Sequence, residues 1–326
     1  MFDLISIGDA TIDTFIQIHE AQIKCNLNRQ DCKLCLAYGD KIPVDKLAHL
    51  VAGNAANNAI GSRRLNLKSA IYVNIGDDDA GKKIADKLKE EKVGTEFVKV
   101  NANMESNYSA VINFKGERTI LIYHQPWKYN LPDLDKTKWV YFTSLSHSFT
   151  QSQIIDQLVQ YLTRTGAKLL YNPGTYQIEA GVKKSPQLLS LTEVFVVNLE
   201  EAEKIVGRSS GKNEVKRLLK DLHDLGPKIV VITDGGNGSY ALSNDKYYQL
   251  DIFPAHLVEM TGAGDGYAAG FLAAMFYGKE VMEAMRWGAA NGASVIEQIG
   301  PQAGLLSYDK MQEKLKEYFK IIAKEI

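Results

Sequence analysis

The chemistry of this sequence is most concentrated in Thr261-Gly262-Ala263-Gly264-Asp265, where a polar, glycine-rich turn passes into the apolar, alanine-rich stretch Gly266-Tyr267-Ala268-Ala269-Gly270-Phe271-Leu272. The change in composition predicts a helix starting near Ala263. Small residues at a helix start let the backbone approach a ligand closely. The N–H groups of the first turn, together with the helix dipole, then form a site for phosphate oxygens. An aspartate in that turn stands within reach of the same phosphoryl group and can take the proton of an attacking hydroxyl. The competing reading is that the glycines permit tight packing and Asp265 caps a helix. The run alone leaves both open.

The run resembles the C-terminal signature of the ribokinase or PfkB carbohydrate kinase family, roughly D-T-T-G-A-G-D followed by small residues and Phe, and the resemblance extends along nearly the whole chain. It implies that Asp265 is the catalytic base and that Gly262, Ala263 and Gly264 supply the anion hole. Gly8-Asp9-Ala10-Thr11-Ile12-Asp13 is similar to the family element whose last aspartate holds sugar hydroxyls, so Asp13 is the implied substrate anchor. Ala52-Gly53-Asn54-Ala55-Ala56-Asn57 resembles the signature G-G-x-x-x-N, which carries Gly53, Asn54 and Asn57 over to the sugar pocket. Asn198-Leu199-Glu200-Glu201 matches N-x-x-E, implying that Asn198 and Glu201 organise Mg²⁺ through its waters. That is reasonable for a hard cation that keeps several of them. Thr233-Asp234-Gly235-Gly236-Asn237-Gly238 resembles the T-x-G-x-x-G nucleotide loop and implies nucleotide contacts from Thr233, Gly235 and Gly238. Ala289-Ala290-Asn291-Gly292-Ala293 resembles the segment beside the adenine, which carries over Asn291. Five elements in family order, each at a strand end or a helix start, are far less expected by chance than any one of them.

The sequence also departs from the pattern. Ala52 stands where the first glycine of the sugar signature is usual. Glu259-Met260-Thr261 replaces the Asp-Thr-Thr of monovalent-cation-activated members, and a thioether is a poor ligand for a hard cation. Potassium activation is therefore not expected. Cys25, Cys32 and Cys35, with His19 nearby, lack the two matched ligand pairs of a structural zinc site. Their odd number and close spacing also argue against a disulfide framework, so buried or unpaired thiols are expected.

The elements that must position these residues follow from the rhythm of the chain. Short apolar runs at Phe2–Ile7, Ala70–Ile75, Trp139–Thr143, Lys168–Tyr171, Val194–Asn198 and Ile229–Thr233 alternate with amphipathic stretches, the pattern of a parallel sheet covered by helices on both faces. A three-layer α/β/α core of the ribokinase-like kind is expected, formed by residues 1–13, 51–106 and 125–326. Two segments break the rhythm, residues 14–50 and the hairpin-like residues 107–124, with a turn at Lys115-Gly116-Glu117-Arg118. Together they read as a discontinuous β lid over the carboxyl edge of the sheet, where ligands of open α/β sheets bind. Tyr308–Ile326 reads as an amphipathic terminal helix.

The 326 residues carry 38 Lys plus Arg and 39 Asp plus Glu, a net charge of -1 that gives no field to recruit nucleic acid or an anionic membrane. No apolar stretch has the ~18 residues that span a bilayer. Asp9 and Asp13 interrupt the first apolar run, which argues against a signal peptide, so a cytoplasmic enzyme is expected. The expected activity is ATP-dependent, Mg²⁺-dependent phosphorylation of a hydroxyl on a small sugar or sugar derivative. A nucleoside kinase is the alternative, with Tyr108, Phe114, Tyr123 and Trp127 available to build a slot for a base. Hexose phosphates would call on Lys24, Arg29, Lys41 or Arg118. His124 and Arg118 are candidates for direct substrate contact from the lid, and a lid with an open strand edge permits a homodimer. A sensor that keeps the fold and has lost the chemistry is the reading from another class.

Overall fold

A computed structural model describes residues 1–25, 32–115, 117–208 and 214–326. The large sheet has ten strands, in the order Lys324–Glu325, Lys246–Leu250, Ser239–Ser243, Ile229–Thr233, Thr192–Asn198, Lys168–Tyr171, Thr137–Phe142, Phe2–Ile7, Ser69–Gly76 and Gly94–Asn101. All pairings from Ile229–Thr233 to Gly94–Asn101 are parallel, and the remaining three are antiparallel. Every residue of Ser69–Gly76 is buried, as expected for a central parallel strand covered on both faces. One face packs Ile154, Leu158, Leu218 and Leu222 from flanking helices, and the other packs Phe271, Leu272 and Trp287. The architecture is the expected three-layer α/β/α core.

A smaller four-stranded sheet has the order Lys46–Ala52, Thr11–Gln17, Tyr108–Phe114 and Glu117–Tyr123. It begins at Thr11, so Asp13 lies on one of its strands. The segment from residue 14 to 50 does not join this sheet throughout: Gln22–Cys25 and Cys32–Cys35 form a separate two-stranded hairpin. Cys25 and Cys32 face each other there and form a disulfide, because directly opposed strand residues bring their Cβ atoms together. Both lie in exposed strand positions, so the expectation of buried or unpaired thiols holds for neither; Cys35 remains a thiol. Zinc loses its ligands in the same step. His19 Nδ1 lies 2.7 Å from the Asp45 carboxylate instead, and among the described residues no group of three or more His, Cys, Asp or Glu side chains is arranged to hold a metal.

Two further expectations are corrected. The terminal helix stops at Glu317, and Lys324–Glu325 then adds a short antiparallel strand beside Lys246–Leu250. Trp127, expected near the lid, is 1% exposed and packs in the core. Among the described residues, no helix is long and apolar enough to cross a membrane.

Candidate active site

A polar cavity of about 410 Å³ opens between the two sheets. Of the residues singled out in the sequence, it gathers Asp13, Gly53, Asn54, Asn57, Asn198, Glu201, Thr233, Gly262, Gly264 and Asp265. They converge because Asp13 lies on a strand of the small sheet that borders the cavity, and the others follow a strand whose carboxyl end points here or lie at the start of a helix aimed here. Gly53 (φ +95°) connects the small-sheet strand Lys46–Ala52 to the helix Asn54–Arg64. A side chain on it would lie 2.6 Å from Ala10 Cα and 2.7 Å from Asp9 O, so only glycine permits this approach of two backbones.

The helix Ala263–Phe276 starts where the composition places it, after Gly262 in the left-handed conformation (φ +83°). A Cβ at Gly262 would sit 2.3 Å from Pro301 Cβ, whereas one at Gly264 would meet nothing within 4 Å. Open space therefore lies directly beside the Gly264 backbone. The turn differs in one detail from the expected anion hole. The Ala263 N–H donates to Met260 O at 3.3 Å, tightening the turn, so the Gly262 and Gly264 N–H groups are the ones left for a ligand. Ala263 itself lines a neighbouring cavity.

Asp265 is buried at the floor of the cavity and accepts a 2.8 Å hydrogen bond from Asn57 Nδ2 on its Oδ2. Burial pushes its carboxyl up to about 6. The Asn57 hydrogen bond opposes this, and the charges of Asp13 and Glu201 add to it. Asp13 also rises to about 6, first through burial, against which Ser109 donates a hydrogen bond, and then through the charge of Glu259. Its Oδ1 is buried with no hydrogen-bond partner among the described residues. An acceptor held that way is incomplete until a donor such as a substrate hydroxyl arrives. Burial raises Glu201 too.

Sequence reasoning missed several residues. Asp9 is buried and raised to about 7, and the Tyr129 hydroxyl lies 2.7 and 2.9 Å from its two oxygens. Glu259 folds back on its own loop, its Oε1 accepting from Thr261 N at 2.8 Å and Thr261 Oγ1 at 2.5 Å. Gln302 donates to Asn57 Oδ1 at 3.0 Å. The sequence signals were Asp9 in Gly8-Asp9 and Glu259 in the departing run Glu259-Met260-Thr261, neither of which marked its contacts; Gln302 carried none.

A second, apolar cavity of about 370 Å³ adjoins the first and shares Thr233, Met260 and Gly264 with it. Its walls include Gly235, Gly238, Phe253, Leu257, Ala293 and Ile296. Asn291 does not line it. That side chain is fully buried, donating to Gly266 O at 2.7 Å and accepting from Leu306 N at 2.9 Å. Its role beside a nucleotide base is therefore withdrawn, because both ends of its amide already tie the helix Val281–Val295 to its neighbours. Asn198 and Glu201 cap the helix Leu199–Val206 reciprocally, Glu201 N donating to Asn198 Oδ1 at 2.8 Å and Asn198 N to Glu201 Oε2 at 2.9 Å. The capping role is real, and both side chains nevertheless face the polar cavity.

Residues 17–307 match a family model described as pfkB family carbohydrate kinase. The chain belongs to this family. It is a sugar kinase, a phosphotransferase acting on an alcohol group. Among curated relatives, the kinase is 24% identical over 287 residues to an ATP-dependent 6-phosphofructokinase of Thermoanaerobacterium thermosaccharolyticum, covering 84% of this chain and 88% of that one. It is 26% identical to 5-dehydro-2-deoxygluconokinase 1 of Bacillus cereus, covering 91% and 90%. Its fold is that of Arabidopsis thaliana ribokinase, solved with ribose and ATP (TM-score 0.80, 22% identity, 97% and 99% coverage). Methanocaldococcus jannaschii nucleoside kinase is also similar (TM-score 0.75, 19% identity, 97% and 99% coverage).

On the small-sheet side of the kinase's polar cavity stand Arg118, Ile120, Ile122 and His124, with Tyr176 opposite. His124 meets Tyr176 edge-on at 5.7 Å, and burial lowers its pKa. The four aromatic residues expected for a nucleobase slot are elsewhere. Trp127 is in the core, Phe114 is buried beside a different cavity, the Tyr108 hydroxyl bonds Thr14, and the Tyr123 hydroxyl donates to Glu105. Of the basic candidates, Arg118 alone lines the cavity among the described residues. Lys24 and Lys41 are exposed, and Arg29 lies outside the described residues.

Proposed function

We propose that the kinase transfers the γ-phosphoryl group of ATP to a hydroxyl of a small sugar or sugar derivative, with Asp265 as general base. The observation that carries this reading is that Asp265 and the open Gly264 backbone stand where the polar and apolar cavities meet. A polyol bound in the first cavity and a nucleotide bound in the second would meet at that junction. Asp13 Oδ1 and the Asn54 and Asn57 amides hold the sugar hydroxyls, and Gly53 lets the lid backbone approach them. The base of ATP lies against the apolar wall, with Thr233, Gly235 and Gly238 beside the phosphates. Asn198 and Glu201 offer hard oxygen atoms already committed to a helix cap, which suits contact with Mg²⁺ through its waters; when bound, the ion neutralises phosphate charge. Asp265 accepts the proton of the attacking hydroxyl, and the Gly262 and Gly264 N–H groups stabilise the transferred phosphoryl oxygens. The small sheet acts as a lid that excludes water, so that the sugar and not water is phosphorylated.

The lid's outer strand exposes Leu121 (58%) and Ile122 (52%) beside an open edge, which supports pairing of two lids in a homodimer. An ADP-release screen over pentoses, hexoses, hexose phosphates and nucleosides tests the main reading. Saturable turnover with one sugar class is expected. Background ATP consumption across the panel, despite saturable ligand binding, would favour a sensor instead.

A further inference from the structure

We infer that Gln302 is a positioning residue for the catalytic base: it fixes which end of the Asn57 amide faces Asp265. Gln302 Nε2 donates to Asn57 Oδ1 at 3.0 Å, and Asn57 Nδ2 donates to Asp265 Oδ2 at 2.8 Å. All three side chains are buried. The order of donors is fixed by chemistry. A carboxylate accepts only, so Asn57 must present its NH₂, which leaves its carbonyl oxygen to be satisfied by a donor on the far side. Were the Asn57 amide to turn over, its oxygen would face the Asp265 carboxylate and its NH₂ would face the Gln302 NH₂. Both contacts repel.

The backbone that carries the donor is anchored independently of Asp265. Arg64, two turns along the same helix as Asn57, donates from Nη1 to Gln302 O at 2.6 Å and to Leu305 O at 3.2 Å. Its Nε and Nη2 grip Glu91 at 3.0 and 2.6 Å, and Glu91 also pairs with Lys87 at 2.9 Å. The preceding residue, Pro301, packs on Gly262 at the start of the anion hole. One short segment therefore touches both halves of the catalytic turn. It braces Gly262 through Pro301, and it sets the direction of the hydrogen bond to Asp265 through Gln302. The titratable groups that face Asp265 are Asp13 from the lid strand, Glu201 from the helix Leu199–Val206 and Tyr141 from the strand Thr137–Phe142. None of these takes the place of the hydrogen bond from Asn57; the other side-chain hydrogen bond to the Asp265 carboxyl comes from Asn54.

This inference rests on the assignment of Asp265 as base, and its test is arranged so that the two can fail separately. Gln302→Met keeps length and volume but removes the donor, and Gln302→Asn keeps the chemistry but withdraws it by a methylene. Either variant, if only one folds, decides. In ligand-free protein labelled at the aspartate carboxyl carbons, the Asp265 signal, identified by its loss in Asp265→Asn, is followed by NMR against pH. Its midpoint is expected to rise by about one pH unit in both variants, the effect of losing one hydrogen bond to the charged form. With the best sugar from the ADP-release screen, kcat/KM for the sugar at neutral pH should fall about twofold, the KM for ATP should stay constant, and the acid limb of kcat/KM should move up with the NMR midpoint. The position of a titration does not depend on how much protein is folded, so a merely structural role would lower activity and leave midpoint and limb in place. An unmoved midpoint overturns the inference. A moved midpoint with no sugar phosphorylated overturns the functional reading alone.

Discussion

Replacing Asp265 by asparagine should disable the kinase and stabilise it at the same time. Burial is the main reason its carboxyl stands at about 6 instead of the ordinary aspartate value of 3.8. The folded state thus binds this proton more tightly than the unfolded chain does. The stability associated with the protonated form is fully present below about pH 4 and is lost as the pH rises through 6. A displacement of about two pH units corresponds to about 3 kcal/mol at pH 7 and above. The Asp265→Asn substitution removes the buried charge, and the carbonyl of the new amide can still accept the Asn57 hydrogen bond. For a chain of this length, about 3 kcal/mol is a rise in Tm on the order of 4 °C. The variant should therefore melt about 4 °C above the parent at about pH 8, and the difference should shrink towards zero by about pH 4. Turnover in the ADP-release assay should fall by a factor of about 10²–10⁴. A variant less stable than the parent at the alkaline end, or a difference that does not vary with pH, would refute the buried-charge argument, and near-normal turnover would remove Asp265 from its role.

The two glycines proposed for the anion hole should separate stability from activity. Gly262→Ala must hold a side chain at φ +83° against Pro301, which costs about 1–2 kcal/mol in backbone strain before the clash is counted, so both Tm and turnover should drop. Gly264→Ala has free space around its new methyl group and should keep its Tm while losing turnover, because that space is where phosphate oxygens come; unchanged turnover would move the phosphate elsewhere. If two lids pair through the strand Glu117–Tyr123, Leu121→Lys should shift sedimentation equilibrium towards monomer, and a parent protein that is already monomeric ends that proposal.

What could be read from the sequence was local. Asp265, Asn198 and Thr233 each sit within a few residues of a strand end or helix start, so type and spacing carry the signal, and the parallel sheet brings such ends to one edge. Gln302 had no such signal, because its partner Asn57 is 245 positions away and an isolated glutamine has no pattern. Asn291 failed for the opposite reason. Its motif was recognisable, but whether an amide faces a cavity or ties two helices depends on helix rotation, which composition does not specify. Trp127 shows the same gap: an aromatic residue beside a hairpin can point to the lid or to the core. The cysteines were misjudged because a disulfide between directly opposed strand residues can be foreseen only once the hairpin and its register are known.

The arrangement of the acids explains why the site is divided between two sheets. Asp13 comes from the lid and Asp265 from the core, and the charge of Asp13 helps to raise the Asp265 carboxyl. Holding two carboxylates this close, both buried, is unfavourable in the empty site and is relieved when substrate hydroxyls donate to Asp13 Oδ1. On the proposed reading, docking of the small sheet as a lid without sugar works against charge repulsion and an unsatisfied acceptor, and a bound polyol satisfies that acceptor. On this argument, closure around the correct substrate and suppression of ATP hydrolysis have the same electrostatic origin. Asp13→Asn should weaken that discrimination, by removing the lid's charge while leaving its shape intact: the ratio of sugar-independent ADP release to sugar phosphorylation should rise, and a ratio equal to the parent's would refute the electrostatic account of closure.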